Sequence, residues 1–114
     1  MSGEGGTDVL RRELERVVDR VRHLSLARLA EPAPPWGSRA DAARAVAQRL
    51  ADLAQDLEEA GGGAARRAVP RLHDAAAGDQ LAVTGHDLLL AAEDAPPSVV
   101  REAIDALVEL RHAM

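Results

Sequence analysis

Two His-Asp dipeptides, His73-Asp74 and His86-Asp87, are the residues of this sequence best suited to chemistry. Imidazole nitrogens and carboxylate oxygens bind metal ions, and metal-dependent phosphohydrolases use such pairs. The pairs lie thirteen residues apart, a rotation of about 220° on a continuous helix, so we expect them to face different sides. The two other histidines, which have no ligand-like spacing, are His23 and His112. We predict surface or capping roles for all four histidines, and no metal or cofactor site.

The sequence lacks the residue patterns that common catalytic sites require. It contains no cysteine, which excludes thiol nucleophiles, disulfides and cysteine-ligated zinc. All 14 basic residues are arginines, so the lysine of a phosphate-binding loop is missing. None of the serines stands in the Gly-x-Ser-x-Gly context of a nucleophile elbow. We therefore expect a protein without catalytic residues that is not an enzyme.

Arg66, Arg67 and Arg71 form the only basic cluster and are candidates for contact with an anion. Nucleic-acid binding draws on excess positive charge, whereas this chain carries a net charge of −5. Residues 74–110 contain eight acidic side chains and one arginine. A nucleic-acid contact is thus a minor alternative, and we expect the arginines to balance the acidic half of the chain or to lie in solvent.

Trp36 is the only aromatic residue, and it lies in a proline-rich segment, 31–37. A tryptophan side chain buries on the order of 200 Å² when it is covered. Two interpretations remain open. Trp36 could pin the segment onto the ends of the flanking helices, or it could be exposed as an anchor for a partner.

The first helix is predicted from about residue 7 to 30, and its apolar residues recur at steps of three and four. This spacing is typical of a helix that packs one face against another element. The stripe could be core or the interface of a homodimer. The candidate interface residues are Leu10, Leu14, Val17, Val21, Leu24 and Trp36.

Three further helical segments follow. Ser38 is expected to start the second helix, with Asp41 three residues later, and Gly61-Gly62-Gly63 to end it. The third segment runs from Pro70 to about 94, either as one helix or with a break at Gly78. The last helix is expected from about 97 to 112. Small residues repeat every seven positions in the third segment, at Gly78, Gly85 and Ala92, and predict a close helix contact.

The composition favours helices, because alanine and leucine are abundant and aromatic residues are nearly absent. We predict an all-α fold, a small antiparallel bundle of four to five helices, in which residues 1–6 form a flexible tail and 7–114 a single domain. The alanine and arginine bias is typical of a G+C-rich genome, and we expect a bacterial cytoplasmic protein. No apolar run approaches the ~20 residues of a membrane span.

We expect this protein to act through protein–protein contacts, as a homodimer or an accessory subunit, because helical stripes occur without catalytic motifs. One alternative is a small regulator that contacts nucleic acid through the arginine cluster. The other is a carrier of an apolar ligand, with a pocket in the bundle core beside Gly78, Gly85 and Ala92.

Overall fold

The chain folds into helices joined by irregular connectors. The computed structural model describes residues 6–59 and 67–114. The helices are α1 (Gly6–Arg22), α2 (Leu26–Ala30), α3 (Arg39–Glu59), α4 (Ala77–Ala91) and α5 (Pro97–Ala113), and a 3₁₀ turn, Asp74–Ala76, precedes α4. These described residues form no β-strand, so the predicted all-α class is confirmed.

The four long helices form a bundle in which α1 and α3 each pack against both α4 and α5. Apolar side chains from all four meet in the centre because each helix is apolar on one side. The largest of the fully buried side chains, each at most 2% exposed, are Leu10, Leu14, Val17, Val21, Leu50, Leu81, Leu88, Leu107 and Leu110.

Side-chain contacts give the helix directions. In the α1–α5 pair, Gly6 approaches Val100 and Arg20 binds the Met114 carbonyl at 3.0 Å, so these helices run the same way. The α3–α5 pair is antiparallel, because Arg39 at the start of α3 binds the Ala113 carbonyl at 3.1 Å. Helices α1 and α4 are also antiparallel, because Gly78 lies against Arg22 and Gly85 against Leu14. It follows that α3 and α4 run in the same direction. A short loop cannot join parallel neighbours, and residues 67–73 instead run back along α3.

The first helix is shorter than predicted. It ends at Arg22, and a separate short helix, α2, follows. Ser25 causes the interruption: its hydroxyl accepts a hydrogen bond from the Arg28 backbone N–H at 3.1 Å and caps α2. Gly6, assigned to the tail by the sequence, is the first residue of α1. The rest of the predicted tail, residues 1–5, lies outside the described residues.

The start of α3 agrees with the sequence pattern. The Ser38 hydroxyl accepts a hydrogen bond from the Asp41 backbone N–H at 3.1 Å, which satisfies one of the free donors in the first turn. Before it, the Trp36 backbone N–H donates to the Ala33 carbonyl at 2.9 Å, across a cis Pro34-Pro35 bond. The predicted end of this helix at Gly61-Gly62-Gly63 lies outside the described residues.

The third helical segment starts later than predicted. Residues 67–73 are irregular, so Pro70 does not begin a helix, and α4 begins at Ala77. Of the two alternatives for this segment, the break at Gly78 is not observed, because Gly78 and Gly85 both lie inside the continuous α4. The last helix, Pro97–Ala113, begins at the second proline of Pro96-Pro97 and matches the predicted span closely.

Candidate functional site

The apolar stripe of α1, which the sequence offered as a dimer interface, is the core of the single chain. Leu10, Leu14, Val17 and Val21 have exposures of 2%, 1%, 0% and 2%. Leu24 lies beyond α1 and is partly buried against the same core. The four residues of α1 lie in the core that α1 forms with α4 and α5, so they leave no surface for a second protein. The interface assignment of this stripe is therefore corrected.

The small residues of α4 hold a close contact with α1, as predicted. A Cβ atom built at Gly85 would lie 3.0 Å from Leu14 Cγ and closer still to both Leu14 methyl carbons. A Cβ built at Gly78 would lie 2.8 Å from Arg22 Cγ. Because higher numbers in α4 meet lower numbers in α1, the two helices are antiparallel. Leu14 fills the space beside Gly85, so no pocket opens there, whereas Gly78 and Ala92 each line a groove, of about 340 Å³ and 430 Å³ respectively.

Trp36 is half-buried and packs against the core, which favours the pinning role over a fully exposed anchor. Its remaining surface lines a groove of about 690 Å³ between α3 and α5. An ion pair between Arg49 and Glu102 connects the two helices there. Arg101, Asp105 and Glu109 of α5 also line this α3–α5 groove, so its wall carries both signs of charge.

The arginine cluster lies beside acidic side chains of α3. Arg67 contacts Glu58 at 3.0 Å, and Arg71 contacts Asp41 at 3.3 Å. Arg66 lies outside the described residues. The guanidinium groups of Arg67 and Arg71 are largely exposed, and their carboxylate partners belong to α3 and not to the acidic stretch 74–110 that they were expected to balance.

Residues 67–73, here called the strap, are bound to the bundle mainly through their backbone. Gln48 of α3 accepts a hydrogen bond from the Val69 N–H at 2.7 Å and donates to the Arg67 carbonyl at 3.1 Å. Gln55 accepts from the Arg67 N–H at 2.9 Å, and Arg44 donates to the Leu72 carbonyl at 2.8 Å. Arg44, Gln48 and Gln55, which lie along one face of α3, thus supply the strap backbone with the hydrogen-bond partners that a helix or a sheet would otherwise provide.

The His-Asp dipeptides have different environments. Asp74 binds Arg44 at 2.6 Å and helps to anchor the strap, while His73 is exposed. His86 and Asp87 are both exposed on α4. Within residues 6–59 and 67–114, no group of three or more histidine, cysteine or acidic side chains has a geometry that could hold a metal ion.

The outward face of α4 carries a feature that the sequence analysis missed. Val83 and Leu90, seven residues apart, are 61% and 82% exposed, whereas Leu81 and Leu88 on the opposite face are almost fully buried. His86 and Asp87 lie between the two apolar side chains. We call Val83, His86, Asp87 and Leu90 the α4 ridge. The signal in the sequence was the run Leu88-Leu89-Leu90, since one helix cannot turn three consecutive side chains towards the core.

The remaining exposed apolar residues are scattered. Leu26, Leu72 and Val9 lie on α2, the strap and α1, each without a second large apolar neighbour on the same helix face. Isolated exposed apolar residues are common on protein surfaces. The α4 ridge differs because two of them share one face of one helix, two turns apart.

None of the helices in the described part of the chain is long and apolar enough to cross a membrane. Comparisons of this chain with protein-family models, with curated proteins and with solved structures found no match.

Proposed function

We propose that this protein acts by binding another protein chain through the α4 ridge and does not itself catalyse a reaction. The observation that carries the proposal is the exposure of Val83 and Leu90 on one face of α4. Transfer of a fully exposed valine or leucine side chain from water into an interface contributes about 1.5–3 kcal/mol. Two such anchors on one rigid helix give a partner a defined place to dock.

The support for a rigid site comes from the other face of α4. Gly85 and Leu88 are buried against the bundle, and α1 approaches so closely at Gly85 that the helix cannot rotate without a clash. Val83 and Leu90 are therefore held in fixed positions, and a partner does not have to order them on binding. We expect a small, transient contact, since the apolar part of the ridge is only two side chains long.

The two alternative functions have less support. A nucleic-acid contact through Arg67 and Arg71 would compete with Glu58 and Asp41, each of which binds one nitrogen of a guanidinium group. An apolar ligand beside Gly85 would have to displace Leu14. We further propose that the protein works in the cytoplasm of a bacterium, because a chain with no cysteine and this arginine and alanine bias fits a reducing compartment and a G+C-rich genome.

A photo-crosslinking amino acid placed at position 90 in the source cells tests this proposal. The matched control is the same amino acid at Asp105, an exposed position on α5 in the α3–α5 groove. We expect a crosslinked adduct at position 90 and little or none at position 105, whether the captured chain is another protein or a second copy. No adduct at position 90, or stronger capture at position 105, would contradict the proposal.

A further inference from the structure

We infer that the chain that covers the α4 ridge is a second copy of this protein, packed so that the two α4 helices run parallel around a two-fold axis. The inference rests on the proposed function, because it names the partner of the same surface. The arrangement of the four ridge residues supports it. Val83 and Leu90 are apolar, and the His86 imidazole can donate a hydrogen bond to an Asp87 carboxylate.

The helical positions of the ridge residues follow from a turn of about 100° per residue. Val83 and Leu90 lie within about 20° of each other and form the crest of the ridge. His86 and Asp87 lie about 50° to either side of that crest, on opposite flanks. One flank thus presents an imidazole N–H donor and the other flank a carboxylate acceptor.

A two-fold axis along α4 makes these flanks complementary. It places Val83 against Val83 of the second copy and Leu90 against Leu90 of the second copy. It also brings the His86 flank of each helix against the Asp87 flank of the other helix, as flanking positions meet in a parallel coiled coil. His86 then lies beside Asp87 of the second copy, and the same contact repeats on the other side of the axis.

The antiparallel arrangement is less favourable. In an antiparallel pair, Val83 would pack against Leu90 of the second copy, and each flank would meet the same flank of the other helix. Asp87 would therefore face Asp87 of the second copy. Like charges in direct contact oppose association. A lone acidic flank would suit a basic partner, but it would leave the imidazole on the other flank without a role.

The rest of the fold leaves this approach open. The buried side of α4 faces α1 and α3, away from the ridge, and Glu15, Asp19 and Arg22 of α1 line a groove of about 670 Å³ together with Val83, His86 and Asp87, so α1 borders the exposed ridge without covering it. Asp79, one turn before Val83, is already ion-paired with Arg22 at 2.8 Å, which removes an uncompensated acidic charge at that end of the contact.

Engineered cysteines test the geometry, because the chain contains no native cysteine. Around the parallel axis, position 90 meets position 90 of the second copy, and the same holds for position 83. We expect Leu90→Cys alone and Val83→Cys alone to form disulfide dimers on mild oxidation. The control Asp105→Cys, also exposed, reports random collisions and should form far less.

The same variants distinguish the alternatives. In an antiparallel pair, two copies of position 90 would be separated by about 10 Å along the helices, beyond the ~7 Å limit for a disulfide. A dimer that forms only when Val83→Cys and Leu90→Cys proteins are mixed would overturn the parallel arrangement. Disulfide yields no higher than those of the Asp105→Cys control would overturn the second-copy inference. A position-90 photo-adduct with a different protein would then leave the proposed function standing.

A charge exchange within one chain provides an independent test. His86→Asp places two carboxylates side by side at both flank contacts, and we expect the dimer dissociation constant to rise roughly tenfold. The double variant His86→Asp/Asp87→Arg restores opposite charges at both contacts and should return the dissociation constant to the wild-type range. Failure of the double variant to recover affinity would contradict the contact between His86 and Asp87.

Discussion

Gly85 of α4 lies directly against the side chain of Leu14 in α1. A Cβ atom at Gly85 would fall 3.0 Å from Leu14 Cγ and nearer still to its methyl carbons, so only glycine permits this helix spacing. The contact fixes the rotation of α4 about its own axis. That rotation buries Leu81 and Leu88 and turns Val83 and Leu90 outward.

Replacement of this glycine by alanine should destabilise the fold. Alanine is favoured over glycine in a helix by about 1 kcal/mol, but overpacking against Leu14 typically costs about 1–3 kcal/mol. We expect Gly85→Ala to lower the free energy of unfolding in urea. The comparison is Gly78→Ala, where the new methyl group would come closer than 3.0 Å to one atom only, Arg22 Cγ at 2.8 Å, with the Arg22 backbone N and Val21 Cγ1 at 3.6 Å. Equal stabilities for the two variants would show that α1 and α4 are less closely packed at Gly85.

The strap should loosen when Gln48 is removed. Gln48→Ala deletes the acceptor of the Val69 N–H and the donor to the Arg67 carbonyl. A hydrogen bond of this kind contributes about 0.5–1.5 kcal/mol. We expect faster hydrogen exchange at the Val69 amide, while the Arg28 amide, which the Ser25 hydroxyl binds at 3.1 Å outside the strap, serves as the internal control. Unchanged exchange at Val69 would contradict the proposed role of Gln48.

Arg39 should not tolerate lysine. Its guanidinium binds the Ala113 carbonyl at 3.1 Å, the Arg28 carbonyl at 3.3 Å and the Glu31 carboxylate, and so connects three parts of the chain. A lysine ammonium cannot reproduce this forked geometry. We expect Arg39→Lys to cost about 1–2 kcal/mol in thermal or urea unfolding. The control Arg16→Lys, at a side chain that is 63% exposed beside Glu13, should change stability by less than about 0.5 kcal/mol.

A buried apolar position and a ridge position should respond differently to a charge. Leu14→Asp places an unpaired carboxylate in the core, and we expect loss of helical circular dichroism, because the cost exceeds about 3 kcal/mol. Leu90→Asp lies on the surface and should keep the wild-type spectrum, and its melting temperature should equal that of the wild-type protein at concentrations where the wild type is monomeric. An unfolded Leu90→Asp variant would mean that the ridge belongs to the core.

The sequence predicted the elements whose causes are local. Pro96-Pro97 marks the start of α5, and Ser38 caps α3, because both act within one turn of the residue concerned. The interruption before α2 was missed, because the apolar spacing continues past Arg22 and gives no sign that Ser25 will cap a new helix.

Long-range contacts could not be derived from local patterns. The α1 stripe predicted which side chains are covered but not what covers them, so core and dimer interface remained equally compatible with it. The strap depends on polar contacts between distant residues, such as Gln48 and Val69, which have no sequence signature. The α4 ridge could not be predicted from the sequence, because it depends on the rotation of α4 about its own axis, which the contact between Gly85 and Leu14 determines.

Sedimentation equilibrium of the wild-type protein and Leu90→Asp, across the same concentration series, tests the central claim most directly. We expect the wild-type average mass to rise above the 12.1 kDa of one chain as concentration increases, while Leu90→Asp remains folded and stays at that mass. Identical behaviour of the two proteins across the series would contradict self-association through the α4 ridge.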